Sequence, residues 1–393
     1  MKSARAEEPS VLGAGRQEFR VCALDTFLLR APVPTPVQTS FGMMDSRPSL
    51  LLRIQDDMDG VGWGEVWCNF PSMGAEHRAG LLNTYIKPML IGKVWNRPEQ
   101  CFDELTRRLE ILAIQSGEPG PLRQVVAGVD MAVWDLLARR AGQPLWQFLS
   151  GATDAAIEPR VKVYASGLNP TEPEELAGAK YQEGYRAFKL KVGFGDQRDD
   201  DNLRAIRDVV GDEAALMADA NQAWTLAEAE RAGRNMARYD LTWLEEPIRA
   251  DAPYEHWTQL ARRQPIKLAA GENFAGMPQF HAFIAGGAIS VVQPDIGKWG
   301  GFSYCIRVAR DAVAHGKWFC PHWLGGGVGL AAALHLKAAV GGEGCVEVDA
   351  NENPLRELMT APFLVYDGYV SLAKQPGLGV VPDLTACKEF LIT

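Results

Sequence analysis

The 393-residue chain holds no run of about 18 consecutive apolar residues, the length a membrane-spanning helix needs. Met1 to Gln17 lack the apolar stretch of about 7–15 residues that marks a secretory signal. That segment therefore reads as a disordered leader, and the protein as cytoplasmic. Positive charge is in deficit: 40 Lys and Arg face 49 Asp and Glu, a formal net charge of −9. An acidic surface argues against nucleic acid or an anionic membrane as the main partner. It does not argue against a small acid, because a metal or a cation cluster can invert the sign inside a pocket. The seven cysteines (Cys22, Cys68, Cys101, Cys305, Cys320, Cys345 and Cys387) form no CxxC and read as buried, reduced thiols. None of the six histidines forms an HxH pair, which removes the usual signature of a zinc hydrolase barrel. Gly325-Gly326-Gly327-Val328-Gly329 lacks the P-loop lysine and reads as a tight loop beside His322.

What is present is patterned. From Arg20 to Trp67 the texture is strand-like, with "FRVCALDTFLLRAPV", "SLLLRIQDD" and a turn at Asp59-Gly60. From His77 to about Gly151 it is helical, most clearly in "RQVVAGVDMAVWDLLARRAG". Strands followed by helices predict an α+β domain over 19–154, after a leader at 1–18. Beyond Ala155 eight short apolar runs alternate with amphipathic stretches. The runs are "RVKVYAS", "RAFKLKVG", "ALMADAN", "LTWLEEP", "IKLAAGEN", "ISVVQPD", "KWFCPHW" and "GCVEVDA". This is the pattern of a parallel (β/α) barrel over 155–353. The segment 354–393 holds no further βα unit and is expected to fold back onto the first domain.

Polar residues fit for chemistry end nearly every run: Lys191, Asp219, Glu245, Glu272, Asp295, His322 and Glu347, at successive gaps of 28, 26, 27, 23, 27 and 25 residues. Each follows its apolar run, which places it at the C-terminal end of a strand, the face on which barrel active sites are built. Asp219, Glu245 and Glu272 end three consecutive runs. Three converging carboxylates need a cation between them, and all-oxygen ligation favours Mg²⁺ before Mn²⁺. Glu246 follows Glu245 directly and, by strand alternation, is expected to point away. Asn221, two residues after Asp219, shares its side and suits a metal-bound water or a substrate oxygen. Lys189 and Lys191 share one side of their strand. Mutual repulsion and burial would lower a lysine there towards the range of a general base. Asp295 is placed to fix the tautomer of His322. Glu347 either donates a hydrogen bond to a developing oxyanion while protonated, or, ionised, binds substrate hydroxyls or Lys189.

Taken together, "FKLKVG", "MADANQAW", "WLEEP", "AAGENF", "QPDIGKWGG", "CPHW" and "VEVDANENPLR" resemble the mandelate racemase branch of the enolase superfamily, and "TPVQTSFG" and "AGVDMAVWDLLAR" extend the likeness into the first domain. The resemblance implies a modified TIM barrel of (β/α)7β type, with an α+β N-terminal capping domain completed by the C-terminal tail. It implies Mg²⁺ on Asp219, Glu245 and Glu272, Lys191 as base on one face of the substrate, and His322 with Asp295 on the other. It makes Lys189 a polariser of the substrate carboxylate, Glu347 an electrophilic acid, Ser166 a carboxylate contact and Lys298 a lysine near the site. The implied activity is removal of the proton α to a carboxylate through an enediolate, in an assembly between dimer and octamer.

A base on each face allows two outcomes. Return of a proton from the second face gives a racemase or epimerase of a 2-hydroxy acid. Protonation of a departing β-hydroxyl gives a hydro-lyase that dehydrates an acid sugar to a 2-keto-3-deoxy acid. The dehydratase is the favoured expectation, because acid-sugar dehydration is the commoner activity of the branch that the chain resembles. The expected lid qualifies it: Phe41, Met43, Met44, Trp67, Phe70 and Met73 are apolar, and Trp67 is a candidate substrate contact. Arg47, Asn69, Glu76, His77 and Arg78 are the polar residues nearby that could meet sugar hydroxyls.

Overall fold

The computed structural model describes residues 18–151, 159–360 and 363–392. The expected leader, save Glu18, and the expected domain boundary after residue 154 lie outside the described residues. In the first part, β1 (Phe19–Thr39), β2 (Gly42–Asp56), β3 (Val61–Val66) and β4 (Val94–Trp95) form an antiparallel sheet in the order β3-β2-β1-β4. The helix Pro119–Arg140 lies against β3, with most of its residues buried. Its approach is close because the facing strand offers glycines: a Cβ on Gly64 would lie 2.2 Å from the Gly128 carbonyl oxygen.

The eight apolar runs become eight parallel strands: β5 (Arg160–Leu168), β6 (Ala187–Lys191), β7 (Ala215–Asp219), β8 (Leu244–Glu245), β9 (Leu268–Ala270), β10 (Val291–Val292), β11 (Trp318–Phe319) and β12 (Val346–Asp349). Ladders join β5 through β11 in sequence and β12 to β5. Across the remaining seam the Phe319 N–H donates to the Glu343 carbonyl at 3.0 Å. Tyr164, Ala187, Met217, Trp243, Ala269, Val291, Cys320 and Cys345 fill the lower interior, so the barrel is a packed core and not a pore. Among the described residues no helix is long and apolar enough to cross a membrane.

The C-terminal segment does more than return to the first domain. β13 (Val365–Tyr366) and β14 (Tyr369–Ser371) form a hairpin, and β14 pairs antiparallel with Arg160–Lys162 of β5. The barrel edge left open below β12 thus gains a strand. The chain then reaches back, with Leu378 N–H donating to Asp135 at 2.6 Å and Ile392 N–H to the Leu28 carbonyl at 2.8 Å.

His335 ties three parts of the fold together. Its Nδ1 accepts from the Trp146 N–H at 3.0 Å, and the backbone of Leu378 is its second partner. Burial lowers its pKa to about 4. The unfolded chain therefore takes up a proton as the pH falls through the ordinary value of 6.5, while the folded chain refuses it until about 4. Stability present above pH 6.5 is lost progressively towards pH 4, by up to about 3 kcal/mol. His335→Gln should flatten this acid limb in urea titrations run from pH 7 to pH 4.

Candidate active site

The strand ends meet over the barrel mouth. Asp219 and Glu245 are ladder partners on β7 and β8, and Asp295 and His322 are bridge partners beyond β10 and β11. Lys189, Lys191, Asp219, Glu245, Glu272, Asp295, His322 and Glu347 are all buried. The structure brings together every residue expected at the centre.

Their pairing is specific. Lys189 Nζ lies 2.6 Å from Glu245 Oε1 and 2.9 Å from Glu347 Oε1, and Lys191 Nζ lies 2.6 Å from Asp219 Oδ2. Lys298 Nζ reaches Glu272 Oε1 at 3.0 Å. His322 is held between two acids, Nδ1 at 2.6 Å from Asp295 Oδ2 and Nε2 at 2.8 Å from Glu272 Oε2. Asp295 is itself fixed by the amides of Gly297 (2.8 Å) and Lys298 (3.0 Å). Ser166 donates its hydroxyl to Glu347. Asn221 binds Asp219 through its backbone N–H (2.8 Å) and its side-chain amide (3.2 Å). Trp67 enters from the first domain, with Lys298 Nζ 4.7 Å from its ring centroid.

Each carboxylate of the expected metal trio is thus neutralised by a cation of the chain. Among the described residues no three His, Cys, Asp or Glu converge closely enough to hold an ion in this arrangement. The reason is electrostatic: buried like charges draw in the nearest counter-charge, here lysine ammonium groups and an imidazolium. The donor set itself suits a hard divalent cation, being three carboxylates on successive strands with no thiol or free imidazole among them.

Three expectations change. The lysines are not lowered. Burial pulls Lys191 down, but the carboxylates of Asp219, Glu272 and Glu347 together outweigh it and the net shift is upward; Lys189 is raised likewise by Glu245, Glu347 and Asp219 together. Glu347 is ionised: burial raises it, but Lys189, His322 and Lys191 bring it to about 2. This is the ionised, Lys189-bound form of the two the sequence left open. Glu246 does not point away. β8 ends at Glu245, Glu246 turns with φ +37°, and its carboxylate accepts from Asn273 Nδ2 at 2.9 Å, the same amide that binds Glu272. Burial and the neighbouring Glu272 hold Glu246 well above the usual carboxylate range.

Three functional neighbours escaped the sequence reading. Trp243 Nε1 (3.1 Å) and Gln293 Nε2 (2.5 Å) both donate to Glu245 Oε2, and the Tyr164 hydroxyl lies 3.5 Å from Lys189 Nζ. A signal existed. Each precedes a site residue by two positions on its strand (Trp243 before Glu245, Gln293 before Asp295, Tyr164 before Ser166), so it faces the interior one layer below.

The lid is only half apolar contact. Phe41, Met43 and Met73 are exposed, whereas Met44 is buried with Val37 and Leu324. Phe41 packs edge-on to Phe70 at 5.1 Å. The polar residues expected to meet hydroxyls are otherwise engaged: Arg47 with Asp349, Asn69 with the Leu324 carbonyl, Glu76 with Arg30, His77 with Glu118 and Arg78 with Gln124. The glycine loop is occupied too. The buried carboxylate of Glu65 accepts from the amides of Gly326 (2.7 Å) and Gly329 (2.9 Å), clamping the first domain onto the loop after β11. Glu65→Ala leaves those buried amides without a partner and should cost about 3 kcal/mol in urea unfolding.

Two family models cover nearly all of this geometry: the mandelate racemase/muconate lactonizing enzyme N-terminal domain matches residues 23–150, and the enolase C-terminal domain-like model matches 173–386. The chain belongs to the mandelate racemase/muconate lactonizing enzyme family. The crystal structure of a member from Bordetella bronchiseptica RB50 is 47% identical, with a TM-score of 0.88 over 95% of this chain and 99% of that one. A D-galactarolactone cycloisomerase of Agrobacterium fabrum is 30% identical over 95% of this chain and 99% of its own length. A racemase structure from Streptomyces coelicolor A3(2) with bound magnesium is 29% identical, with a TM-score of 0.84 over 95% and 100% of the two chains. Dehydratases and N-succinylamino acid racemases are also among the similar proteins. In this family the α+β domain caps a modified TIM barrel, as the sequence led us to expect.

Proposed function

We propose that the protein removes the proton α to the carboxylate of a small acid with the aid of Mg²⁺, and that its reaction is the dehydration of an acid sugar to a 2-keto-3-deoxy acid. The observation that carries this reading is the single buried cluster of acids, lysines and histidine at the C-terminal mouth of the barrel. Asp219, Glu245 and Glu272 would hold the ion. When bound, Mg²⁺ supplies the positive charge that makes an α-proton beside a carboxylate acidic enough to remove.

The other steps fall to the chain's own residues. Lys191 takes the proton. Asp219 is the largest of the carboxylate contributions that hold its proton here, and with Asp219 engaged as a metal ligand Lys191 would lose that attraction and act as the base. Lys189, beside Glu347 and Tyr164, presents buried positive charge to the developing oxyanion. His322, oriented by Asp295, stands three strands from β6 by the short way round the barrel and gives a proton to the departing β-hydroxyl. The support for dehydration over racemisation lies in the barrel loops. Asn221, Gln222, Asn273 and Gln279 border the cavity next to the cluster and supply the polar wall that the lid does not. A racemase shares the removal of the α-proton and differs in that His322 would return a proton to the α-carbon instead of to a departing hydroxyl.

The test is to incubate mono- and dicarboxylic sugar acids with enzyme and Mg²⁺ in D₂O. Appearance of a 2-keto-3-deoxy product with solvent deuterium supports the reading. Deuterium at the α-carbon with both epimers and no ketone redirects it to racemisation. Absence of exchange from every acid sinks it.

A further inference from the structure

A cavity of about 640 Å³ opens beside the catalytic cluster, between the first domain and the loops after β7, β8 and β9. That volume lies within the range of small-ligand sites. Ser40, Phe41 and Arg123 form its upper wall, and Asn221, Gln222, Arg249, Asn273 and Gln279 its lower one. Two of its lining residues touch the reacting centre, Asn221 through Asp219 and Asn273 through Glu272. Ser40 ties the two walls together through the Asn221 carbonyl at 2.9 Å.

Apart from the Asn221 side-chain oxygen and the carboxylate of Asp251, which also lines the cavity and is paired with Arg249, the wall offers mainly donors. Gln222 Oε1 is taken by the Ala250 N–H at 2.8 Å and Gln279 Oε1 by the Ala275 N–H at 3.1 Å. Each side chain is thereby left with its NH₂ as the free group, and an NH₂ only donates. Arg249 is neutralised by a two-bond pair with Asp251, at 2.8 and 2.6 Å. Arg123 has no carboxylate partner among the described residues, so its charge is the uncompensated one on the cavity wall. Asn221 is 92% buried and its Oδ1 has no hydrogen-bond partner.

We propose that this cavity is a distal subsite for a second carboxylate, and that the enzyme acts on dicarboxylic acids, the far carboxylate lying on Arg123 with the Gln222 and Gln279 amides. The proposal rests on the reading of the centre as a site for α-proton removal, and it adds what that reading leaves open: the class of acid. A carboxylate is all acceptor, and a guanidinium with two amide NH₂ groups is all donor. A monocarboxylic acid would leave Arg123 unmatched. Asn221 Oδ1 is placed for a hydroxyl between the two ends.

Binding separates this proposal from the catalytic one. By calorimetry with Mg²⁺-loaded protein, glutarate should bind at least about tenfold more tightly than butanoate, its analogue without the far carboxylate. In Arg123→Gln the ratio of the two dissociation constants should fall to about one, and Arg123→Lys should restore part of it. Equal binding of the two acids by the unaltered protein, or a ratio unchanged in Arg123→Gln, overturns the subsite even if α-proton exchange is observed. Preferential glutarate binding that depends on Arg123, in a protein that exchanges no α-proton, upholds the subsite and rejects the chemistry.

Discussion

Lys191→Ala and His322→Asn are each expected to abolish turnover, and to do so with opposite stereochemistry in the exchange that remains. Lys191 takes the α-proton in the dehydration; if His322 addresses the opposite face of the substrate, its neutral form can in addition exchange the α-proton of the other epimer, so that each takes that proton from one epimer only. Removing a positioned base costs on the order of 10²–10⁴-fold. Lys191→Ala should therefore lose deuterium incorporation into one α-epimer by that factor, and His322→Asn into the other, when Mg²⁺-loaded protein is followed by NMR in D₂O. The fold should survive both. His322 is buried between Asp295 and Glu272, so asparagine keeps a polar side chain beside both, and the Asp219 that loses Lys191 keeps Lys189 at 3.7 Å and would be compensated further by bound Mg²⁺. Loss of the same epimer in both variants would place the two groups on one face and end the two-sided mechanism. Unchanged turnover in His322→Asn would leave Lys191 as the sole base.

The second large effect concerns the metal. Glu245→Gln keeps the shape of a side chain gripped by Trp243 and Gln293 but removes its charge. The Mg²⁺ dissociation constant measured by calorimetry should rise by at least on the order of 100-fold, more than the loss of an outer-shell partner brings. In the metal-free protein the same change takes one anionic partner from the buried Lys189, which retains Glu347, and should lower stability by about 3 kcal/mol. Glu246→Gln is the informative control. Glu246 accepts from Asn273, and burial holds its pKa above the usual carboxylate range, so its amide should change Mg²⁺ affinity far less. The opposite ranking of the two variants would move the ligand role from Glu245 to Glu246.

Where sequence reasoning failed, it failed at the ends of strands. Alternation is a property of extended backbone. β8 stops at Glu245, so the rule assigned Glu246 to the wrong side one residue beyond its range. The lysine shift was misjudged for a related reason. Lys189 and Lys191 are two positions apart in sequence, so their repulsion was visible. Asp219, Glu245 and Glu347, which overcome it, come from strands 28 to 158 residues away in the chain. The lid was misread because its polar residues find remote protein partners, across the domain interface for Arg47 and Asn69 and within the first domain for Glu76, His77 and Arg78, and no local pattern shows that.

The sequence by itself determined the family, the eight-strand period and the seven chemical residues at the strand ends, because a barrel repeats at nearly constant length and puts each run's last residues on one face. It could not determine how those charges divide among themselves. Which carboxylate neutralises which lysine, where Glu65 spends its charge and which arginine on the cavity wall stays unmatched depend on distances between remote segments. Only tertiary structure fixes those distances, since Coulomb attraction between buried groups is decided by ångströms of separation rather than by order along the chain.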